Sequence, residues 1–255
     1  MNVNDLYKIT EKYAPRKLSD DFVKLTGGYD NSGIIVDSGE EITGVLFALD
    51  LSVAAVNAAK AFGANAIITH HPAIYSPLKS LEHGTPVYSA VKAGISVISC
   101  HLNLDCAENG IDESLAEGLG AKSAEVTYKL SEKEGYGRTF TVPEISLKEF
   151  KERVEKVFDA KRIIVYGDPE NTIKRVSSFC GAGLDAEETD RCADTDIFVS
   201  SDVPHHVIIK CREEGKNLLV LTHYASEFYG FKKFCDKISR EIKVKTLVFD
   251  EADLK

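Results

Sequence analysis

Apolar and polar positions alternate along this chain with two periods, and the points where the period changes mark its elements. A helical period across Val3 to Tyr13 predicts a first helix. Short apolar runs follow, "GIIVDS" at 33–38 and "GVLFALD" at 44–50, and predict strands. Val53, Val56 and Ala59 then share one face of an amphipathic helix. "NAIITHH" continues as a strand, "PVYSAVKAG" as a helix closed by Gly94, and "ISVISCH" as another strand. Strand and helix in that alternation build a mostly parallel sheet.

Between about Ser123 and Gly167 the pattern changes. "EVTYKL" and "YGRTFTV" alternate as strands do, and "SLKEFKERVEKVF" is a helix with Leu147, Phe150, Val154 and Val157 on one face. That helix is assigned to packing, with its charges on the solvated side. From "KRVSSFC" at 174–180 the strand and helix alternation returns and follows the order of the first half. "ITGVLFALDLSVAAVNAAKAFGANAIITHHP" lies over "IKRVSSFCGAGLDAEETDRCADTDIFVSSDVPHH", and "AGISVISCHLNLD" over "EGKNLLVLTHYASE". The expected fold class is therefore α/β, as two related, duplicated units with mostly parallel or mixed sheets. The units are drawn at 1–125 and 126–255, with a metal site expected in the cleft between them.

The polar clusters fall where apolar runs stop. His70 and His71 end one run and precede Pro72; His101 ends "ISVIS" and is followed four residues later by Asp105; His223 ends "NLLVL" and is followed four residues later by Glu227. Each cluster alone has an ordinary reading: hydrogen-bonded strand-end histidines, a capping aspartate at 105, a solvated helix pair at 223 and 227. Together they place imidazoles and carboxylates at the C-terminal ends of strands, where open α/β sheets bind their ligands. Adjacent residues of an extended chain point opposite ways, so His70 and His71 are expected to serve different ions or walls. Nitrogen and oxygen donors in this number suit two transition ions about 3.5–4 Å apart better than a calcium cage. Asp50 is read as an N-cap. Asp202, His205 and His206 in "SSDVPHH" are read equally as a capped helix start or as residues orienting substrate or moving protons.

Composition narrows the chemistry. The six cysteines carry no CxxC pair, which fits reduced thiols better than disulfides or a thiolate zinc site. The net charge of -9, with no Lys/Arg-rich tract, argues against nucleic-acid or anionic-membrane partners and leaves room for a small anionic substrate. No run approaches a membrane span and the N-terminal residues do not read as a secretory signal, so a cytoplasmic protein is expected. "CGAGLDAEE" at 180–188 lacks a phosphate-loop pattern and is read as a strand-to-helix turn.

The motifs "YDNSG" (29–33), "ALDLS", "ITHHP", "HLNLD" leading into "NGIDESLAEGLG", and "THYASE" resemble those of the GTP cyclohydrolase I type 2 family, the Nif-three-like dinuclear-metal hexameric proteins, in order and over nearly the whole chain. The resemblance implies that His70, His71, Asp105, His223 and Glu227 bind two divalent metal ions per chain (zinc, iron or manganese), with Glu227 bridging. It implies that His101 donates a proton or supports the ligands, and that the chain forms a homohexamer. It also implies a hydrolase that opens the imidazole ring of a purine nucleotide such as GTP and releases formate. Where relatives often carry a "GGSG"-like turn this chain has "CGAGLD", and Ser201 stands where a glycine often precedes the aspartate at 202. Two other functions compete with the cyclohydrolase: a metal-dependent phosphatase or phosphodiesterase, and a metal-carrying regulator without turnover.

Overall fold

A computed structural model describes residues 1–255. Its elements are α1 (Val3–Thr10), α2 (Arg16–Thr26), β1 (Gly33–Val36), β2 (Gly44–Ala48), α3 (Val53–Phe62), β3 (Ala66–Thr69), α4 (Pro86–Lys92), β4 (Ser96–Ser99) and α5 (Leu102–Asp105). There follow α6 (Ile111–Leu119), β5 (Glu125–Lys129), β6 (Gly135–Ser146), α7 (Leu147–Phe158), β7 (Ile163–Tyr166), β8 (Thr172–Ser178), α8 (Ala186–Arg191), β9 (Ile197–Ser200), α9 (His205–Glu213), β10 (Asn217–Leu221), α10 (His223–Glu241) and β11 (Lys245–Val248). The chain divides into two compact units, Met1–Ala107 with Phe231–Asp250, and Glu108–Gly230 with Glu251–Lys255. These bounds differ from the single boundary at 125/126. The physical reason is β11, which leaves the second half of the sequence to pair in parallel with β2.

The first unit holds a five-stranded sheet in the order β1-β4-β3-β2-β11. β2, β3 and β4 are buried at every residue, as expected of parallel strands covered on both faces. The helices between them start and stop on local signals. The Ser52 side chain accepts from the Ala55 N–H at the head of α3, and Gly63, at φ 72°, closes it. Leu46, Val56, Ala59, Ile67 and Val97 pack into one core. The pattern reading extends the first helix to Tyr13, whereas α1 ends at Thr10 and a second helix, α2, follows. α2 carries five charges in eleven residues, and only Leu18, Ser19 and Phe22 are buried, so its apolar stripe is too thin to stand out.

The second unit holds a six-stranded mixed sheet in the order β5-β6-β8-β9-β10-β7. Its parallel strands β8, β9 and β10 alternate with α8 and α9, as β2, β3 and β4 alternate with α3 and α4 in the first unit. In both units the antiparallel strand that precedes the triplet pairs with its third member, β1 with β4 and β7 with β10. This shared topology matches the order of the sequence repeat. The capping box of Ser146 and Glu149 starts α7, which buries Leu147, Phe150, Val154 and Phe158. Val157 was expected on that face but is only half-buried; Phe158, four residues after Val154, takes the place.

Candidate metal centre

In the first unit the donors follow β3 and β4. β3 ends at Thr69, so His70 and His71 lie in the bend beyond it rather than in the extended strand. The expectation that their side chains point opposite ways therefore does not hold. The backbone N–H groups of both donate to the Leu49 carbonyl, at 3.1 and 2.9 Å, and their ring centroids lie 4.8 Å apart. His70 is wholly buried. Its Nδ1 stands 2.8 Å from the Cys100 carbonyl oxygen, an atom that can only accept. The hydrogen of the neutral ring therefore sits on Nδ1, and Nε2 presents its lone pair. His71 is set the same way by Asp50 Oδ1, 2.8 Å from its Nδ1. Asp50 is thus a partner of His71 and not the N-cap expected from sequence, a place that Ser52 fills.

His101 caps the single turn α5. Its backbone N–H donates to Ser32 Oγ at 3.0 Å and its Nδ1 lies 2.8 Å from Asp30 Oδ1. Asp30 also accepts from the hydroxyls of Ser19, at 2.5 Å, and Ser32, at 2.6 Å. Burial pushes the Asp30 pKa up, but the hydrogen bonds from His101, Ser19 and Ser32 outweigh it and hold the carboxyl below the usual carboxylate range. Asp105, 4% exposed, ends the same turn, its N–H bonded to the His101 carbonyl at 3.0 Å. Its Oδ1 lies 3.5 Å from His70 Nε2, and His70, His101 and Asp105 each bring a ligand atom within 4.8 Å of the others.

In the second unit β10 leads through Thr222 into α10, whose first residue is His223. Four residues on, one helical turn later, Glu227 falls on the same face, and His223 Nε2 and Glu227 Oε1 are 2.9 Å apart. His223 Nδ1 lies 2.6 Å from Asp202 Oδ2. His206 instead pairs with Asp185, the N-cap of α8, at 2.8 Å, and His205 is exposed in the same turn. The expected strand-to-helix turn at 180–188 is present, with Gly181 at φ 57°. A Cβ there would lie 2.5 Å from Glu227 Oε1 and 3.1 Å from His223 Nε2, so only glycine leaves that space open.

Four histidines, three in the first unit and one in the second, thus share one arrangement: Nδ1 meets an oxygen acceptor, which leaves the lone pair to Nε2. Twice that Nε2 faces a carboxylate oxygen, at 3.5 Å in the first unit and 2.9 Å in the second. A lone pair facing an anion is repulsive until a proton or a cation lies between them. Imidazole and carboxylate are the donors that zinc, iron and manganese accept, and acceptors on Nδ1 are what orient metal-binding histidines. The residues therefore fit a divalent cation. Asp30, Asp50, Asp202 and Gly181 escape the sequence reading as parts of this arrangement. Asp30 had a signal, since it stands inside "YDNSG". The concavity lined by Thr127, Thr139, Arg175 and Arg191 on the second unit contains none of these residues. No helix is long and apolar enough to cross a membrane.

A family model described as Duf34/NIF3 (NGG1p interacting factor 3) matches residues 1–253. A GTP cyclohydrolase 1 type 2 homolog of Clostridium perfringens is 28% identical over 250 residues, covering 95% of this chain and 93% of that protein. One of Lactococcus lactis is 31% identical over 216 residues, 81% of this chain and 80% of its own. In fold, the crystal structure of Staphylococcus aureus hypothetical protein SA1388 superposes with a TM-score of 0.85 at 22% identity, covering 99% of this chain and 97% of that one.

Proposed function

The chain belongs to the Duf34/NIF3 family, and from that premise we propose that it is a hydrolase that works with two divalent metal ions, held by His70, His71, Asp105, His223 and Glu227, on a small anionic substrate of the purine nucleotide class such as GTP. The observation that carries this reading is the shared setting of His70, His71 and His223, each with Nδ1 against an oxygen acceptor, so that Nε2 is the nitrogen that would meet a cation. The name of the relatives, GTP cyclohydrolase 1 type 2 homolog, supplies the substrate class.

Two bound cations lower the pKa of water toward neutrality and stabilise negative charge that develops on the substrate. The protein supplies orientation. The Cys100 carbonyl, Asp50 and Asp202 hold three of the rings so that Nε2 is the donor atom, and Gly181 keeps the space beside Glu227 open. His101, with Nδ1 held by the Asp30 carboxylate, takes up or delivers a proton at Nε2 while one water adds to the carbon between the two imidazole nitrogens and opens the ring to a formamide, and a second water hydrolyses that formamide to formate and an amine. Assembly as a homohexamer in the cytoplasm is part of the same proposal. Light scattering should then report six copies of the 28.0 kDa chain.

Elemental analysis of the purified protein, paired with formate and phosphate assays on GTP and a panel of phosphoesters, tests the reading. About two transition ions per chain are expected, together with formate release by wild type and none by Glu227→Ala. Phosphate release without formate would make the protein a metal-dependent phosphoesterase. Metal without turnover of any substrate would make it a regulator, and a chain that takes no metal after reconstitution would end the proposal.

A further inference from the structure

Cys180 and Gly181, where β8 gives way to the turn before α8, are held at all four of their backbone polar groups. The Cys180 N–H donates to Asp112 Oδ1 at 3.1 Å, and the Tyr136 hydroxyl donates to the Cys180 carbonyl. The Gly181 N–H donates to Ser226 Oγ at 3.1 Å. The Gly181 carbonyl accepts from Ser200 Oγ at 3.1 Å, Ser201 Oγ at 2.6 Å and the Ser201 N–H at 3.0 Å. A dipeptide fixed in this way cannot rotate, and it is the one whose Gly181 lies too near Glu227 Oε1 for a Cβ to fit. It forms a rigid wall behind the carboxylate.

Asp112, the second residue of α6, anchors that wall from a buried ion pair. Its Oδ2 is 3.0 Å from Arg138 Nη1, and the two residues are 0% and 2% exposed. Arg138 Nη1 also donates to the Gly135 carbonyl at 2.8 Å, which fixes the direction from which it meets the aspartate. A buried ion pair adds little net stability over apolar residues of similar volume, so stability alone gives weak grounds for one here. We infer that Asp112 is a positioning residue for Glu227: held by Arg138, it fixes the Cys180–Gly181 peptide, and that peptide fixes where the Glu227 carboxylate rests. The inference rests on Glu227 as a metal-binding residue.

Calorimetric titration of the metal-free full chain with Mn²⁺, run beside thermal unfolding, tests it on three variants. Asp112→Ala combined with Arg138→Met removes the anchor without leaving a charge unpaired in the core. It should weaken Mn²⁺ binding by roughly 10–100-fold, the usual effect of losing a group that orients a ligand. Tyr136→Phe loosens the same peptide at its carbonyl, and should weaken Mn²⁺ binding by a smaller factor. Val154→Ala destabilises the core of the same unit away from the wall and should leave the affinity unchanged. Wild-type affinity in both loosened variants overturns the inference, as does an equal loss in Val154→Ala; if the double variant does not fold, Tyr136→Phe decides alone. A wild-type chain that binds no Mn²⁺ overturns the metal reading itself, and this inference with it.

Discussion

In the first unit the third parallel strand, β4, runs into His101 and a single helical turn that ends at Asp105; in the second, β10 runs into His223 and a 19-residue helix that carries Glu227. The histidine and the carboxylate are four residues apart in both, yet one helix is a fragment and the other is the longest element of the chain. One turn is all the geometry requires, since residues i and i+4 already share a face. The units differ more after the middle strand. β3 is followed by His70 and His71, whereas β9 is followed by Ser201 and Asp202, so one corner supplies nitrogen donors and the corresponding corner supplies an acceptor for His223. At that corner the same frame carries imidazoles in one unit and the support of an imidazole in the other.

The largest test of this contrast is to remove a donor from each unit. His70→Ala and Glu227→Ala are each expected to lose metal and turnover by at least about 100-fold, the upper end for residues that merely orient ligands. Metal analysis beside a formate assay checks this, and an effect confined to one of the two variants would break the comparison. Next come the acceptors: Asp202→Asn, which loosens a ligand, should weaken metal affinity by roughly 10–100-fold, whereas Asp30→Asn, which loosens His101, should lower turnover and leave metal affinity unchanged. Equal losses of metal affinity in the two variants would mean that His101 is itself a ligand.

A smaller effect is expected in stability against pH. The folded Asp30 pKa lies below its unfolded value of about 3.9, so its contribution is present above that pH and is lost as pH falls through the folded pKa. Denaturant unfolding of wild type and Asp30→Asn should therefore differ by roughly 1.5–3 kcal/mol, the worth of hydrogen bonds to a charged group, from pH 8 to 5, and the gap should narrow below about pH 4. A gap that widens in acid would reverse the assignment. The smallest signal is an absence of reaction. Burial pushes the Cys100 thiol up to about 12 and holds Cys235 well above 9.0, so alkylation of the folded protein at pH 8 should leave both unmodified until denaturant is added.

Much of the frame is legible in the sequence because buried parallel strands are continuous apolar runs, and those before His70, His101 and His223 each become a strand of the triplets. α2 is not legible, since its charges interrupt the stripe that buries Leu18 and Phe22. Asp50 was misread for a different reason. Its position just before a helix is that of a cap, and only the approach of His71, 21 residues away, gives the carboxylate another partner.

The amino-acid sequence by itself determined the alternation of strands and helices, the placing of histidines where strands stop, and the pairing of His223 with Glu227 through a spacing that the helix converts into contact. Only the tertiary structure decided which oxygen holds each ring: Asp30 lies 71 residues from His101, and the Cys100 carbonyl 30 residues from His70. Local spacing follows from the geometry of one backbone element. The acceptor that sets a tautomer is chosen by packing between elements, and no periodicity in the chain encodes it.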